Sequence, residues 1–126
     1  MEIGLKLILA LIRAESYFDQ QARSHVDARG LMQIMPPTFK EWAGRNGFKN
    51  ANAYNPIQNV AVGCLELNRQ LESFTDIKTA LSAYNWGSGN LRKMMKARGV
   101  SKFQEFEAFL PKETRDYVKK IERFYH

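Results

Sequence analysis

Apolar residues recur every three or four positions along most of this chain, and no stretch alternates strictly between apolar and polar. That period predicts helices and lends little support to a two- or three-stranded sheet. Ile3, Leu7, Leu11 and Ala14 share one helical face, with Ile8 and Ile12 beside them, which predicts a first core helix closing near Glu15. Asp19 to Arg29 is polar and irregular, the pattern of a loop. Beyond Pro36-Pro37, Thr38 is expected to cap a short helix that Gly44 and Gly47 end. Asn55-Pro56 opens the most regular helix, with proline in its first turn. Its stripe of Ile57, Val60, Ala61, Cys64, Leu67 and Leu71 is the expected buried face.

Thr75 or Asp76 is expected to cap a further helix through Ile77, Ala80, Leu81 and Tyr84 to Gly87. Ser88 to Ala97 continues in helical period, Ser101 starts another helix, and Pro111 sets off a last one from Lys112. The prediction is an all-α chain of about seven short helices. At 126 residues, without a repeat, a low-complexity tract or a linker, residues 1–126 are expected to form a single domain.

Composition changes this picture only by exclusion. The 44% hydrophobic and 25% charged shares are those of an ordinary globular protein. A formal charge of +6 favours anionic surroundings: nucleic acid, anionic lipid and cell-wall polymer all qualify. The basic residues scatter over every predicted helix instead of lining one recognition face, which disfavours a nucleic-acid partner. Cys64 is the sole cysteine, so an intrachain disulfide is impossible, and its apolar setting predicts an inert thiol. One cysteine and two histidines are too few for a histidine- or cysteine-based metal centre, so no metal or cofactor is expected. The apolar run Leu5 to Ile12 is broken by Lys6 and is short, which predicts a core helix instead of an export signal or a membrane span. No stable membrane insertion and a monomeric state are therefore expected. An enzyme working outside the cytoplasm would then need a leader missing from this chain or another delivery route.

Chemistry concentrates in four places. Glu15-Ser16-Tyr17-Phe18 ends the first apolar helix, and Ser24 follows nine residues after Glu15. Gly30-Leu31-Met32-Gln33-Ile34-Met35-Pro36-Pro37 opens the next segment. Ala83-Tyr84-Asn85-Trp86-Gly87 stands fifty residues later, and Glu113-Thr114-Arg115-Asp116-Tyr117-Val118 lies near the end. This order, from about Leu7 to Tyr125, resembles the lytic transglycosylase family, lysozyme-like enzymes that cleave the glycan of bacterial peptidoglycan. The resemblance implies a lysozyme-like, goose-type helical domain with a saccharide-binding cleft, and peptidoglycan glycan strands as partner. It also implies a place in the periplasm or cell envelope, or delivery by a phage or secretion machine.

At the end of an apolar helix, Glu15 meets poor hydration, which raises a carboxyl pKa and suits a glycosidic acid. The resemblance makes it the single catalytic residue, first an acid to the leaving oxygen and then a base to the C6 hydroxyl that closes a 1,6-anhydro ring. Ser24 is implied to hydrogen-bond the sugar or Glu15; by composition alone it is a turn former. Met32 and Gln33 are implied to line the saccharide groove, as an apolar wall and as an amide suited to an N-acetyl group. Tyr84 and Asn85 are implied to sit opposite the glutamate, with a structural role in the turn before Gly87 open for Asn85. Glu113 and Tyr117, four apart on one helical face, are implied to point to an inner hydrogen-bond network and onto the groove wall. An exposed ion pair is the alternative for Glu113.

Two departures from the family pattern stand out. Trp86 replaces a residue that is usually small, and Asp27-Ala28-Arg29-Gly30 replaces Gly-Ala-x-Gly. Asp27 lies in the stretch where goose-type lysozymes carry an acid that activates water, and a surface turn aspartate is the alternative account. Hydrolysis of the same bond is therefore the rival chemistry, and a non-catalytic peptidoglycan-binding module is the rival of a different class.

Overall fold

The computed structural model describes residues 4–125, so Ile3 lies outside the described residues. The described residues form seven α-helices: α1 Leu5–Ser16, α2 Pro36–Arg45, α3 Pro56–Ser73, α4 Ile77–Trp86, α5 Ser88–Arg98, α6 Phe103–Phe106 and α7 Lys112–Tyr125. A 3₁₀ turn, Glu107–Phe109, follows α6. Among the described residues strand geometry is confined to isolated bridges, Arg23 to Arg29 and Arg29 to Ile34. The all-α expectation holds. No helix among the described residues is long and apolar enough to cross a membrane.

The chain divides into two compact units, the first ending at Glu66 and the second beginning at Leu67, within α3. In the first unit α1 buries Leu7, Ala10, Leu11 and Ile12. Pro36-Pro37 occupies the first positions of α2, where a missing N–H costs nothing, and Met35 is the residue before it. Thr38 therefore sits inside the first turn instead of capping it, which corrects the sequence expectation. At Asn55 the expectation is met: its Oδ1 accepts from the Gln58 backbone N–H at 3.0 Å as α3 begins at Pro56.

The buried face of α3 is rotated from the apolar stripe the sequence suggests. Ile57 is 80% exposed, Ala61 is exposed, and Val60 and Cys64 are half-buried. Asn59, Val62, Gly63, Leu67, Gln70 and Leu71 are the buried positions. Two of these decide the rotation, because buried polar and glycine positions are invisible to a hydrophobic pattern. Asn59 satisfies backbone groups outside the helix, and Gly63 admits the Met32 side chain: an added Cβ would lie 2.8 Å from both Cβ and Cε of Met32, and closer still to its Sδ. Burial pushes the Cys64 thiol upward, so it remains protonated and inert.

In the second unit α4 packs on α5 and α7. Asp76 caps α4, its carboxylate accepting from the Thr79 N–H and hydroxyl, each at 3.0 Å. Gly87 joins α4 to α5 at φ 102°, a backbone region closed to side-chain-bearing residues. Asn90 Nδ2 donates to the Trp86 carbonyl at 2.8 Å and satisfies the end of α4. The helix expected from Ser101 begins at Phe103, with Lys102 before it and Glu105 accepting from the Lys102 N–H at 3.0 Å. Pro111 precedes α7 as expected, and α7 buries Thr114, Tyr117, Val118 and Ile121.

Candidate functional site

Glu15 lies in the last turn of α1 and is half-buried, its neighbour Ser16 turning its hydroxyl inward to donate to the Ile12 carbonyl at 3.1 Å. Directly after, the backbone turns left-handed at two successive bulky residues, Tyr17 at φ 53° and Phe18 at φ 64°. Asp27 at φ 72° and Gln33 at φ 49° repeat that geometry further on. Four of the five positive-φ residues other than glycine among the described residues thus fall between Glu15 and α2. Each costs stability, and such positions persist where the surroundings over-determine them.

The loop between α1 and α2 is tied by its own backbone and by polar side chains. Gly30 N–H donates to Ala22 O at 2.8 Å, and Arg29 and Ile34 exchange a pair of 3.0 Å bonds. Gly30 at φ 77° answers two demands at once, since a Cβ there would lie 2.7 Å from Ala53 O and also strike Asn59 Nδ2. Asn59, fully buried, is the loop's anchor. Its Oδ1 accepts from Met32 N–H at 2.8 Å, and its Nδ2 donates to Arg29 O at 2.9 Å and Ala53 O at 2.7 Å. Nothing in the sequence pattern singled out Asn59; an amide inside a helix bounded by apolar residues is the only signal, and it reads as ordinary surface.

Ser24 is built as a turn former: its Oγ accepts from Val26 N–H at 3.2 Å and Ala28 N–H at 3.0 Å. With two lone pairs occupied, what the hydroxyl can still offer a ligand is its proton. Gln33 is the complement. Both of its amide protons are used inside the loop, on Ala22 O at 3.2 Å and Gly30 O at 2.9 Å, so its oxygen is the group it can offer.

Asp27 is held between two arginines. Arg23 Nε donates to Oδ1 at 2.6 Å, and Arg29 donates through Nε to Oδ1 at 3.1 Å and through Nη2 to Oδ2 at 3.0 Å. Foremost the Arg29 hydrogen bonds hold this carboxyl below its usual range; desolvation opposes them as the second largest effect, and the Arg23 hydrogen bond and the charges of both arginines add to the lowering. A carboxylate so stabilised is a poorer base.

Three expectations are corrected by burial. Met32 is a core residue with no exposed surface, seated against Gly63, and its side chain cannot form a wall open to a ligand. In the same segment Met35, two residues after Gln33, is 41% exposed. In α7 the helical face is turned from the one expected. Glu113 is exposed and Tyr117 is 6% exposed, so Glu113 does not point inward and Tyr117 is mostly enclosed. The inward polar group of that turn is Thr114, buried, whose hydroxyl donates to Asn85 Oδ1 at 2.9 Å. Asn85 thereby takes a structural role within its unit. Tyr84 and Trp86, its neighbours on α4, are half-buried.

A cleft of about 440 Å³ in the first unit is lined by Arg29, Pro36, Phe39, Lys40, Phe48 and Asn52 among others, and neither Glu15 nor any of the candidate substrate-binding residues is among its lining. Among the described residues no group of three or more His, Cys, Asp or Glu side chains is arranged to hold a metal ion.

Comparison with known proteins matches residues 1–107 to the family described as Transglycosylase SLT domain. A putative soluble lytic murein transglycosylase of Haemophilus influenzae is 31% identical over 127 residues, covering 96% of this chain and 21% of that protein. Membrane-bound lytic murein transglycosylase D of Escherichia coli is 35% identical over 123 residues, covering 93% of this chain and 26% of its own length. A transglycosylase of Enterobacteria phage PRD1 is 36% identical over 83 residues, covering 66% of this chain and 29% of its own. This chain therefore spans roughly a fifth to three tenths of these relatives. Among solved structures, an inactive glutamate-to-glutamine mutant of lytic transglycosylase Slt from Pseudomonas aeruginosa superposes with a TM-score of 0.82 at 31% identity. It covers 98% of this chain and 21% of that one. The 70 kDa soluble lytic transglycosylase of Escherichia coli gives 0.81 at 27% identity, with the same coverage.

Proposed function

Because the chain belongs to the transglycosylase SLT family, we propose that it is a peptidoglycan lytic transglycosylase domain with Glu15 as its one catalytic carboxyl. The bond cleaved is the β-1,4 link from N-acetylmuramic acid to N-acetylglucosamine. Protonated Glu15 gives its proton to the glycosidic oxygen, the C1–O bond breaks, and the N-acetylglucosamine side leaves as an alcohol. The sugar's own N-acetyl oxygen supports C1 while positive charge develops there. Glu15, now a carboxylate, takes the proton of the C6 hydroxyl as that oxygen bonds to C1. The product ends in a 1,6-anhydro ring, Glu15 is again protonated, and no water is consumed. Ser24 as donor and the Gln33 oxygen as acceptor match the carbonyl and N–H of an N-acetyl group.

The observation that carries this chemistry over hydrolysis is the double arginine clamp on Asp27. A hydrolytic inverting enzyme needs a second carboxylate able to take a proton from water. The carboxyl placed by sequence for that task is engaged by two guanidinium groups and held at a low pKa. That the glutamate-to-glutamine mutant of the Pseudomonas relative is inactive supports an essential glutamate in this family. Action at the cell envelope, or on a wall reached by phage or secretion machinery, follows from the substrate.

Glu15→Gln keeps the side-chain shape but cannot exchange a proton, and should reduce peptidoglycan turnover by at least about 10²–10⁴-fold while the unfolding transition stays in place. Mass spectrometry of wild-type digests should show ends lighter by one water than hydrolysed ones. Turnover by the Glu15→Gln variant at wild-type rate would refute the assignment, and oxygen-18 taken from labelled water into most ends would move the chain to the hydrolases.

A further inference from the structure

The αL residue that ends α1 is Tyr17, whose N–H donates to Arg13 O at 3.1 Å. Helices ordinarily give this position to glycine, because a Cβ there is strained. Here the chain instead carries a tyrosine that is 75% exposed, followed by Phe18, also left-handed and 53% exposed. A single exposed aromatic needs no explanation. Two in succession, each at a backbone angle unfavourable to it, two and three residues beyond Glu15, are a different case: neither burial nor backbone geometry accounts for them. The fold would be better served by glycine at 17 and gains no core from the ring.

We infer that Tyr17 is a saccharide-stacking residue, holding the apolar C–H face of an N-acetylated pyranose in the glycan strand next to the bond that Glu15 cleaves. The chemistry of the ring fits that occupant. An aromatic face is electron-rich and attracts the slightly positive C–H groups that line one side of a pyranose. The Arg13 guanidinium sits 5.9 Å from the ring centroid and holds the side chain to the end of α1. Being two residues from the catalytic carboxyl on one helix end, the ring is carried by a rigid element, which suits a subsite better than a mobile loop does. The inference rests on the peptidoglycan reading of the site and deepens it with a specificity-determining residue.

The strain supplies the test, because stability and affinity should move in opposite directions. Tyr17→Gly and Tyr17→Asn both accept a left-handed backbone and lack the ring. Each should leave the melting temperature equal to or above that of the wild type. Each should also raise KM for soluble glycan fragments about tenfold, the loss typical of removing one aromatic anchor, with kcat falling by less. In the Glu15→Gln background the same changes should weaken co-sedimentation with purified peptidoglycan to a similar extent, and Tyr17→Phe should restore affinity. Unchanged KM in both ring-less variants of a protein that does cleave peptidoglycan overturns the stacking role alone, as does a Tyr17→Phe variant as impaired as Tyr17→Gly. A wild-type protein that neither cleaves nor binds peptidoglycan overturns the stacking role together with the function on which it rests.

Discussion

The loop between α1 and α2 and the α4–α7 pairing each hold residues that sequence singled out, by opposite means. From Tyr17 to Gln33 four side-chain-bearing residues are left-handed, and polar groups close the backbone: the Asn59 amide, the Gln33 amide and the arginines on Asp27. At α4 and α7 the backbone is regular helix, and polar contacts between them include the Thr114 to Asn85 hydrogen bond and the exposed ion pair of Lys78 with Glu122 at 2.9 Å. The loop thus depends on hydrogen bonds whose loss leaves buried groups unsatisfied, whereas the helix pair depends on apolar burial, to which the Thr114 hydrogen bond and a solvent-exposed ion pair are added. An unsatisfied buried backbone group costs more than a lost hydrogen bond is worth, so the two regions should differ sharply in their response to single substitutions.

The largest effect is expected at Asn59. Replacing it by Leu keeps the volume but strands Met32 N–H, Arg29 O and Ala53 O, and should destabilise the protein by about 3–5 kcal/mol in denaturant unfolding. If that change cost no more than a helix-surface substitution, the contrast between the regions would collapse.

Gly63→Ala comes next. Alanine improves helix propensity by roughly 0.5–1 kcal/mol, but overpacking against a fully buried Met32 costs roughly 1–3 kcal/mol, so a net loss of stability should appear in thermal unfolding. A more stable Gly63→Ala variant would show that the Met32 side chain gives way easily. Thr114→Val should cost only about 1 kcal/mol, the ordinary value of one hydrogen bond, measured in the same way. A loss as large as that of Asn59→Leu would place the second region in the class of the first.

Asp27→Asn should have the smallest effect on turnover, leaving anhydro ends as the main product, and its signature is in the pH dependence of stability. Because its folded pKa lies below the ordinary 3.8, the arginine clamp stabilises the fold above pH 3.8, and that contribution is lost as pH falls through the lower folded value. The stability difference between wild type and variant should therefore be constant near neutrality and shrink in acid. A difference that grew on acidification would reverse the sign and refute the clamp.

The helices themselves were legible from periodicity and punctuation. Pro56, Asp76, Gly87 and Pro111 act locally, through missing donors, capping oxygens and permitted dihedrals, and local rules carry over into the fold unchanged. The order of chemical motifs from Glu15 to Tyr117 was likewise available in the chain alone, since family resemblance rests on residue identity and spacing. Which face of each helix is inward was not. The apolar stripe of α3 pointed to Ile57 and Ala61, yet the helix buries Asn59 and Gly63. Likewise α7 buries Thr114 and leaves Glu113 outside. A polar side chain is buried where distant backbone groups need it, and a glycine where a distant side chain must enter. Those partners, Met32 for Asn59 and Gly63 and Asn85 for Thr114, lie 27 to 31 positions away. Only tertiary structure brings them within reach, and only there does Met32 become core.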